Sequence, residues 1–369
     1  MTQPRSRTID LDHTPYYHCI SRCVRRAFLC GKDHYSGRSF EHRRQWIVDL
    51  IKKLASMFCI DVCAYAMMHN HYHLVLHVDR DKCLALSDRE VIRRWLMFHK
   101  GGVEIERFCA GASLGDQELA RIGRIVELWR ERLYSVSWFM KLLNQTISKR
   151  ANQEDDCKGK FWECRFKCQA LLDENALLSC MAYVDLNPIR AGIATTIEES
   201  DFTSIQQRLK KYQACQQGSR DNAMRQSEKL VFEDAWEGLM PFSVIRREQQ
   251  DDKDHTTVAC QARASLPFCE QDYLAWLQYV GGVSQLANLG PLSCDTAFGQ
   301  AVPRDIQKFF VQLDMDVWQF LETLDRLESL YPARMGRYST LEKYARKIGL
   351  AWCRGVGHSR TLCRKKRVH

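Results

Sequence analysis

The strongest constraint on the fold is a pair of short apolar runs, Cys59 to Met68 and Tyr72 to Val78, separated by the turn formers His69-Asn70. Their spacing predicts two strands paired as a hairpin. A strand-like run rich in aromatics and cysteine, Pro15 to Cys23, precedes them, and another, Phe166 to Leu172, follows. Ser39 to Phe58 repeats Phe40, Trp46, Ile47, Leu50, Ile51 and Leu54 at helical spacing. Ser135 to Arg150 reads as a further helix, and Asp173-Glu174 opens one that runs through Leu186 and stops at Pro188.

Residues of about 80–133 read as a helical insertion. Ser87-x-x-Glu90 is a capping-box signal for a helix through His99, which Gly101-Gly102 ends, and a second helix is expected from about Asp116 to Leu133. Without the insertion the order is β-α-β-β-α-β plus one more helix. The expected fold is therefore α+β: a ferredoxin-like βαββαβ core with an added helix. The chain's 369 residues divide into a domain at 1–200, a polar helical linker at 201–255 and a mostly helical region at 256–369. The charged stretch Arg246 to His255 suits the linker, and helices are expected at Tyr273 to Val280 and Arg304 to Leu324. A last basic helix through Cys353 is expected to be capped by Ser339-x-x-Glu342.

No run approaches the roughly 18 apolar residues of a membrane span, and the N-terminus lacks a signal-peptide core, so a cytoplasmic protein is expected. The 17 cysteines include no C-x-x-C pair; Cys19/Cys23, Cys59/Cys63 and Cys164/Cys168 lie four apart, unlike zinc-finger spacing. They read as reduced, mostly buried thiols. Net charge is +9, and residues 334–369 alone carry eleven Lys/Arg against one acid, Glu342. Such a tail attracts phosphate backbones.

Two constellations carry chemistry. In His69-Asn70-His71-Tyr72-His73 the two-residue strand period puts His71 and His73 on one face, able to share one ion, with Tyr72 on the other. His69 and His77 have the same parity, but the turn redirects the first and the second lies two pleats away. In Tyr183-Val-Asp-Leu-Asn187-Pro188 the helical i,i+4 spacing lets Tyr183 and Asn187 face one point, with Asp185 turned away. Each pattern alone suits an ordinary structural role. Together they suggest an ion held by two imidazoles and the Asn187 amide oxygen, with Tyr183, a weak nucleophile when free, activated beside it.

The segments YYHCISRCVRRAFLCG, AYAMMHNHYHLVLHV and GKFWECRFKCQALLDENALLSCMAYVDLNPIRAG resemble the three core blocks of the single-tyrosine HUH transposases, in the branch of REP-associated tyrosine transposases. The resemblance covers roughly residues 10–200 outside the insertion. It implies His71 and His73 as metal ligands, Asn187 as the helix-borne amide ligand and Tyr183 as nucleophile. It further implies Mg²⁺ or Mn²⁺ as cofactor, single-stranded or hairpin DNA as partner, a 5′-phosphotyrosine intermediate with a freed 3′-OH, and a bacterial, nucleoid-associated setting. A monomer or a homodimer would fit. His69 departs from the pattern, which has Pro or a small residue there. Mg²⁺ prefers oxygen donors, Mn²⁺ tolerates nitrogen better, and Zn²⁺ would also accept two histidines.

Arg22, Arg25 and Arg26 after the first strand, and Lys158, Lys160, Arg165 and Lys167 around the last, are candidate contacts to the DNA backbone. Phe161 and Trp162 suit either stacking on an unpaired base or burial, and Arg190 either a phosphate or the helix end. Two rival readings remain open: a non-cleaving binder of repeat DNA or of RNA on the same fold, and a phosphodiesterase that uses water and dispenses with Tyr183.

Overall fold

The computed structural model describes residues 5, 8–24, 29–32, 37–221, 239–243, 264–288 and 333–350. Arg25, Arg26, the expected linker at 246–255, the expected helix at 304–324 and the tail beyond 350 lie outside these residues.

The architecture is α+β. Strands β1 (Tyr16–Arg22), β2 (Ile60–Met67), β3 (His71–Val78) and β4 (Lys167–Leu171) form one sheet in the order β2-β3-β1-β4, each neighbour antiparallel. A two-residue strand, β5 (Arg334–Met335), adds parallel to β4 at the edge. Helices α1 (His42–Met57) and α6 (Val136–Glu154) share an apolar core with Tyr17, Cys19, Tyr72, Leu74 and Leu76 on one sheet face. Helix α7 (Glu174–Asp185) covers the other face, where Cys63, Ala64, Ala66 and Val75 are small enough to admit it closely. A bulge between Val62 and Ala64 shifts the β2 register, which brings Ala64 and Ala66 to the α7 side.

The insertion folds as α2 (Arg80–Leu84), α3 (Asp88–Leu96), α4 (Val103–Cys109) and α5 (Asp116–Leu133). Ser87 caps α3 by accepting the Glu90 N–H at 3.3 Å, as its spacing predicts. At α5, Gly115 has no side chain to cap with, and the Glu118 carboxylate instead accepts the Gly115 N–H at 2.9 Å.

Past α7 three features differ from expectation. Helix α7 ends at Asp185, beside the expected Leu186, but Pro188 does not stop helix formation: the chain restarts as α8 (Asn187–Arg190) with Pro188 in the first turn, where a missing N–H costs nothing. The next helix, α9 (Ser204–Asp221), is followed by α10 (Glu270–Asn288), longer than the stretch Tyr273 to Val280. The last described helix, α11 (Tyr338–Lys347), starts after Arg337 and makes no side-chain cap bond, so Ser339 is not its cap, and it ends at Lys347, short of Cys353. Met240, Phe242, Leu266, Tyr273 and Trp276 pack in one core with α7. No helix among the described residues is long and apolar enough to cross a membrane.

The described cysteines are all free thiols, and most are buried. Cys164 is exposed and precedes β4 rather than lying within a strand.

Candidate functional site

Strand alternation sends His71 and His73 from β3 toward α7, while Tyr72 enters the opposite core and donates its hydroxyl to Asn144 Oδ1 at 2.6 Å. The pairing of β1 with β3 sets Ile20 opposite His73 and Arg22 opposite His71. His18, two residues before Ile20, therefore faces α7 as well, and so does Gln169, its partner on β4.

Helix α7 brings Tyr183 against this face. Its ring stands edge-on to His73, with centroids 5.5 Å apart and planes at 80°, and to His18 at 6.2 Å. Across the break at Leu186, Asn187 reaches the same imidazole, with Nδ2 at 3.3 Å from His73 Nε2. Tyr183 and Asn187 thus converge on His73, although the helix between them is interrupted. Asp185 points away. It is fully buried and accepts hydrogen bonds from the Ser204 hydroxyl at 2.5 Å, the Ile205 N–H at 3.1 Å and the Tyr273 hydroxyl at 2.6 Å.

The His71 and His73 rings are 4.9 Å apart. Each has its Nδ1 engaged: His71 with Asn70 Oδ1 at 2.5 Å, His73 with His18 Nε2 at 3.0 Å. Burial holds His71 down to about 4, with the Arg22 and Lys167 cations adding to the effect. Burial also lowers His18 to about 3 and takes His73 well below the usual imidazole range. All three are neutral at physiological pH, the form in which an imidazole ligates metal.

The donor set fits a divalent ion. Two donors bound at about 2.1 Å and at a right angle lie about 3 Å apart, close to the 3.3 Å between the Asn187 amide and His73 Nε2. A half-turn of that amide presents its oxygen in place of its nitrogen. No group of three or more His, Cys, Asp or Glu among the described residues is arranged to hold a metal. An ion held by two imidazoles and one amide would have further coordination positions open.

Access is from one end of the sheet. His73, Tyr183 and Asn187 are 1%, 4% and 9% exposed, whereas His71 is half-buried, with exposed Arg22 and Lys167 beside it. At this end the chain before β4 runs along the end of β1, through Val24 N–H to Phe161 O and Glu163 N–H to Arg22 O, both 2.9 Å. That segment carries Lys158, Lys160 and Arg165, all exposed. Phe161 is buried, and half-buried Trp162 packs edge-on to Tyr72 at 5.7 Å and donates to Asn144 O. His69 is exposed on the turn and joins no ring contact of the site; His77 is held by Asp61 at 3.3 Å.

Sequence reasoning missed Asn70, His18 and Gln169 as members of the site. The side chain of Asn70 had a signal, its place just before the His-x-His pair. His18 had only its parity in a strand whose partner was not yet known.

No family model matches the chain, and no curated protein matches it. Among solved structures, that of a REP-associated tyrosine transposase bound to a REP hairpin is similar at 12% identity, over 57% of this chain and 87% of that one, with a TM-score of 0.30.

Proposed function

We propose that this chain is a metal-dependent, single-tyrosine enzyme that cuts and rejoins single-stranded, hairpin-forming DNA. The strand order β2-β3-β1-β4 with antiparallel neighbours is read as the ferredoxin-like split βαβ core. The observation that carries the proposal is the convergence of Tyr183 and Asn187 on His73, an imidazole that shares its face with His71.

In this reading His71, His73 and Asn187 hold Mg²⁺ or Mn²⁺, which when bound supplies Lewis-acid stabilisation of a phosphate. The Tyr183 oxygen attacks the scissile phosphorus and loses its proton to water. The bond from phosphorus to the 3′ oxygen breaks, and that oxygen takes up a proton to leave a free 3′-OH. A 5′-phosphotyrosine remains, which conserves the bond for rejoining. Arg22, Lys167, Lys158, Lys160 and Arg165 track the backbone along the exposed end of the sheet.

The test incubates the full chain with a hairpin oligonucleotide bearing single-stranded flanks, with and without Mn²⁺. A covalent protein–DNA product mapping to Tyr183 is expected, and Tyr183→Phe is expected to abolish both cleavage and adduct. Equal cutting by Tyr183→Phe would sink the nucleophile and point to attack by water. The 4% exposure of Tyr183 favours, as a second reading, a binder that never opens its site. Metal-independent hairpin binding without any adduct would select it.

A further inference from the structure

We propose that the outer face of helices α1 and α6, together with the residues just past α3, is a second DNA-binding surface that takes the phosphate backbone of a double-stranded segment. The inference goes beyond the cutting reading, since it needs neither the metal nor Tyr183. The surface lies across the sheet from them: Tyr72 and Leu74 point into the core shared with α1 and α6, while α7 covers the other face. The duplex it holds is therefore a separate stretch of DNA from the strand at Tyr183.

The surface is built from cations seated on aromatic rings. Helices α1 and α6 run antiparallel, with Arg43 bound to Glu154 at one end and Phe58 edge-on to Phe139 at the other, at 5.4 Å. Arg150 lies 3.6 Å from the centre of the Trp46 ring, and Lys141 and Arg132 lie 4.0 and 4.3 Å from that of Trp138. Lys53 stands 5.1 Å from that of Phe98. Ring contacts join these seats: Trp138 meets Trp95 at 5.8 Å, Trp95 stacks on His99 at 4.4 Å, and His99 meets Phe98 at 5.9 Å. Trp46 and Lys53, seven positions apart, share one face of α1.

Lys53, Lys141 and Arg150 are exposed, and none of them pairs with a carboxylate among the described residues. Elsewhere exposed arginines are neutralised: Arg93 by Glu90 and Arg107 by Glu118, both at 2.7 Å, and Arg121 by Glu104 at 2.8 Å. The acids within α1 and α6 are engaged, Asp49 by Gln45 at 2.7 Å and Glu154 by Arg43 and His42 at 2.6 Å. A ring beneath a cation holds it in place without cancelling its charge. The face is therefore complementary to a polyanion. What it presents is charge at fixed positions, which suits backbone phosphates rather than unpaired bases. Lys141 and Arg150 are nine positions apart on α6, about 13 Å at the helical rise. One rigid helix thus spaces them over roughly four phosphate steps of a strand, and a regular duplex matches such an array better than a flexible single strand.

The test measures binding of a labelled, blunt-ended DNA duplex to the full chain by fluorescence anisotropy over a salt series. The combined variant Lys53→Gln, Lys141→Gln and Arg150→Gln should weaken binding and flatten the slope of log affinity against log salt by about 3, at roughly −0.9 per phosphate contact. Binding of an oligo-dT strand, which offers no duplex, should keep its wild-type slope. Lys141→Glu alone should also flatten the duplex slope. Its side chain is exposed, so this variant carries the test if the combined one does not fold. A duplex slope unmoved in both variants overturns the proposal. So does an equal change for duplex and oligo-dT, which would assign the face to single strands. Tighter binding of an RNA duplex of the same sequence, lost in the combined variant, would assign it to RNA and overturn it too. If Tyr183 forms no adduct while the duplex slope still falls, the cutting reading fails and this surface stands.

Discussion

Tyr183 and His71 differ in what their loss should do, because one is buried and the other borders solvent. Phenylalanine fills the space of Tyr183, so Tyr183→Phe should cost no more than about one hydrogen bond, roughly 1 kcal/mol, in urea unfolding. Covalent adduct formation should vanish while hairpin affinity holds. His71→Ala removes a half-buried ring at the site's mouth. Its unfolding midpoint should hardly move, and its Mn²⁺ affinity should fall by at least about tenfold; unaltered Mn²⁺ binding would remove His71 from the ligand set. The shared face of His71 and His73 was legible because a strand's two-residue period is a local property. The place of His18 was not, since it depends on how β1 registers against β3. Asn187 was legible by spacing, and it reaches His73 even though the helix breaks at Leu186.

Among the elements, α7 carries the tyrosine, and both of its ends are held by buried or half-buried carboxylates. Asp173 caps it, with Oδ1 accepting the Ala176 N–H at 2.9 Å. The other oxygen of Asp173 accepts the Arg337 N–H at 2.6 Å, tying the chain just after β5 to the same end. Losing an N-cap costs about 1 kcal/mol, and a lost backbone bond about as much again. Asp173→Ala should therefore cost roughly 2 kcal/mol in urea unfolding, and Ser87→Ala, which removes only the cap of α3, about 1 kcal/mol. Equal losses in the two variants would mean that the Arg337 contact contributes nothing. The same contact explains why the sequence misplaced the start of α11: Arg337 is pinned by Asp173 and Asn175, so the helix begins directly after it and Ser339 falls inside. Helix α3 was legible from its Ser87-x-x-Glu90 capping-box spacing. Helix α4 was not, because it follows a glycine in the left-handed region, Gly102 at φ 83°, with no capping side chain. Two-residue β5 has no pattern of its own; only its pairing with β4 defines it.

At the scale of the whole molecule, α7 is sandwiched. The sheet lies on one side, and Phe242, Leu266, Tyr273 and Trp276 share the core on the other. Asp185 and Arg208 are buried in that second layer, the guanidinium donating to Cys63 O at 2.9 Å and Met240 O at 3.1 Å. A fragment cut at residue 200, the boundary the sequence suggests, would leave Asp185 without Ser204 and Tyr273 and bare the apolar back of α7. It should be recovered mostly in aggregates, whereas a chain ending after Leu350 should stay soluble. That helices such as Tyr273 to Val280 were legible past this boundary, but not their packing on α7, follows from what patterns encode: they give each segment's apolar face, not the face it meets.

The same truncation after Leu350 tests the charge distribution. It removes six Lys/Arg (Arg354, Arg360, Arg364, Lys365, Lys366 and Arg367) and no acid. On single-stranded DNA each neutralised phosphate adds about −0.7 to the slope of log affinity against log salt. If all six engage phosphates, truncation should flatten that slope by about 4 and weaken binding most at low salt. Fluorescence anisotropy of a labelled hairpin across a salt series reads both. Cleavage at saturating DNA should be unchanged, because Tyr183, His71, His73 and Asn187 all lie outside the deleted segment. An unchanged salt slope would confine the electrostatic footprint to the rim formed by Arg22, Lys158, Lys160, Arg165 and Lys167, and charge reversal there, Lys167→Glu first because it stands beside His71, would then have to lower the slope instead.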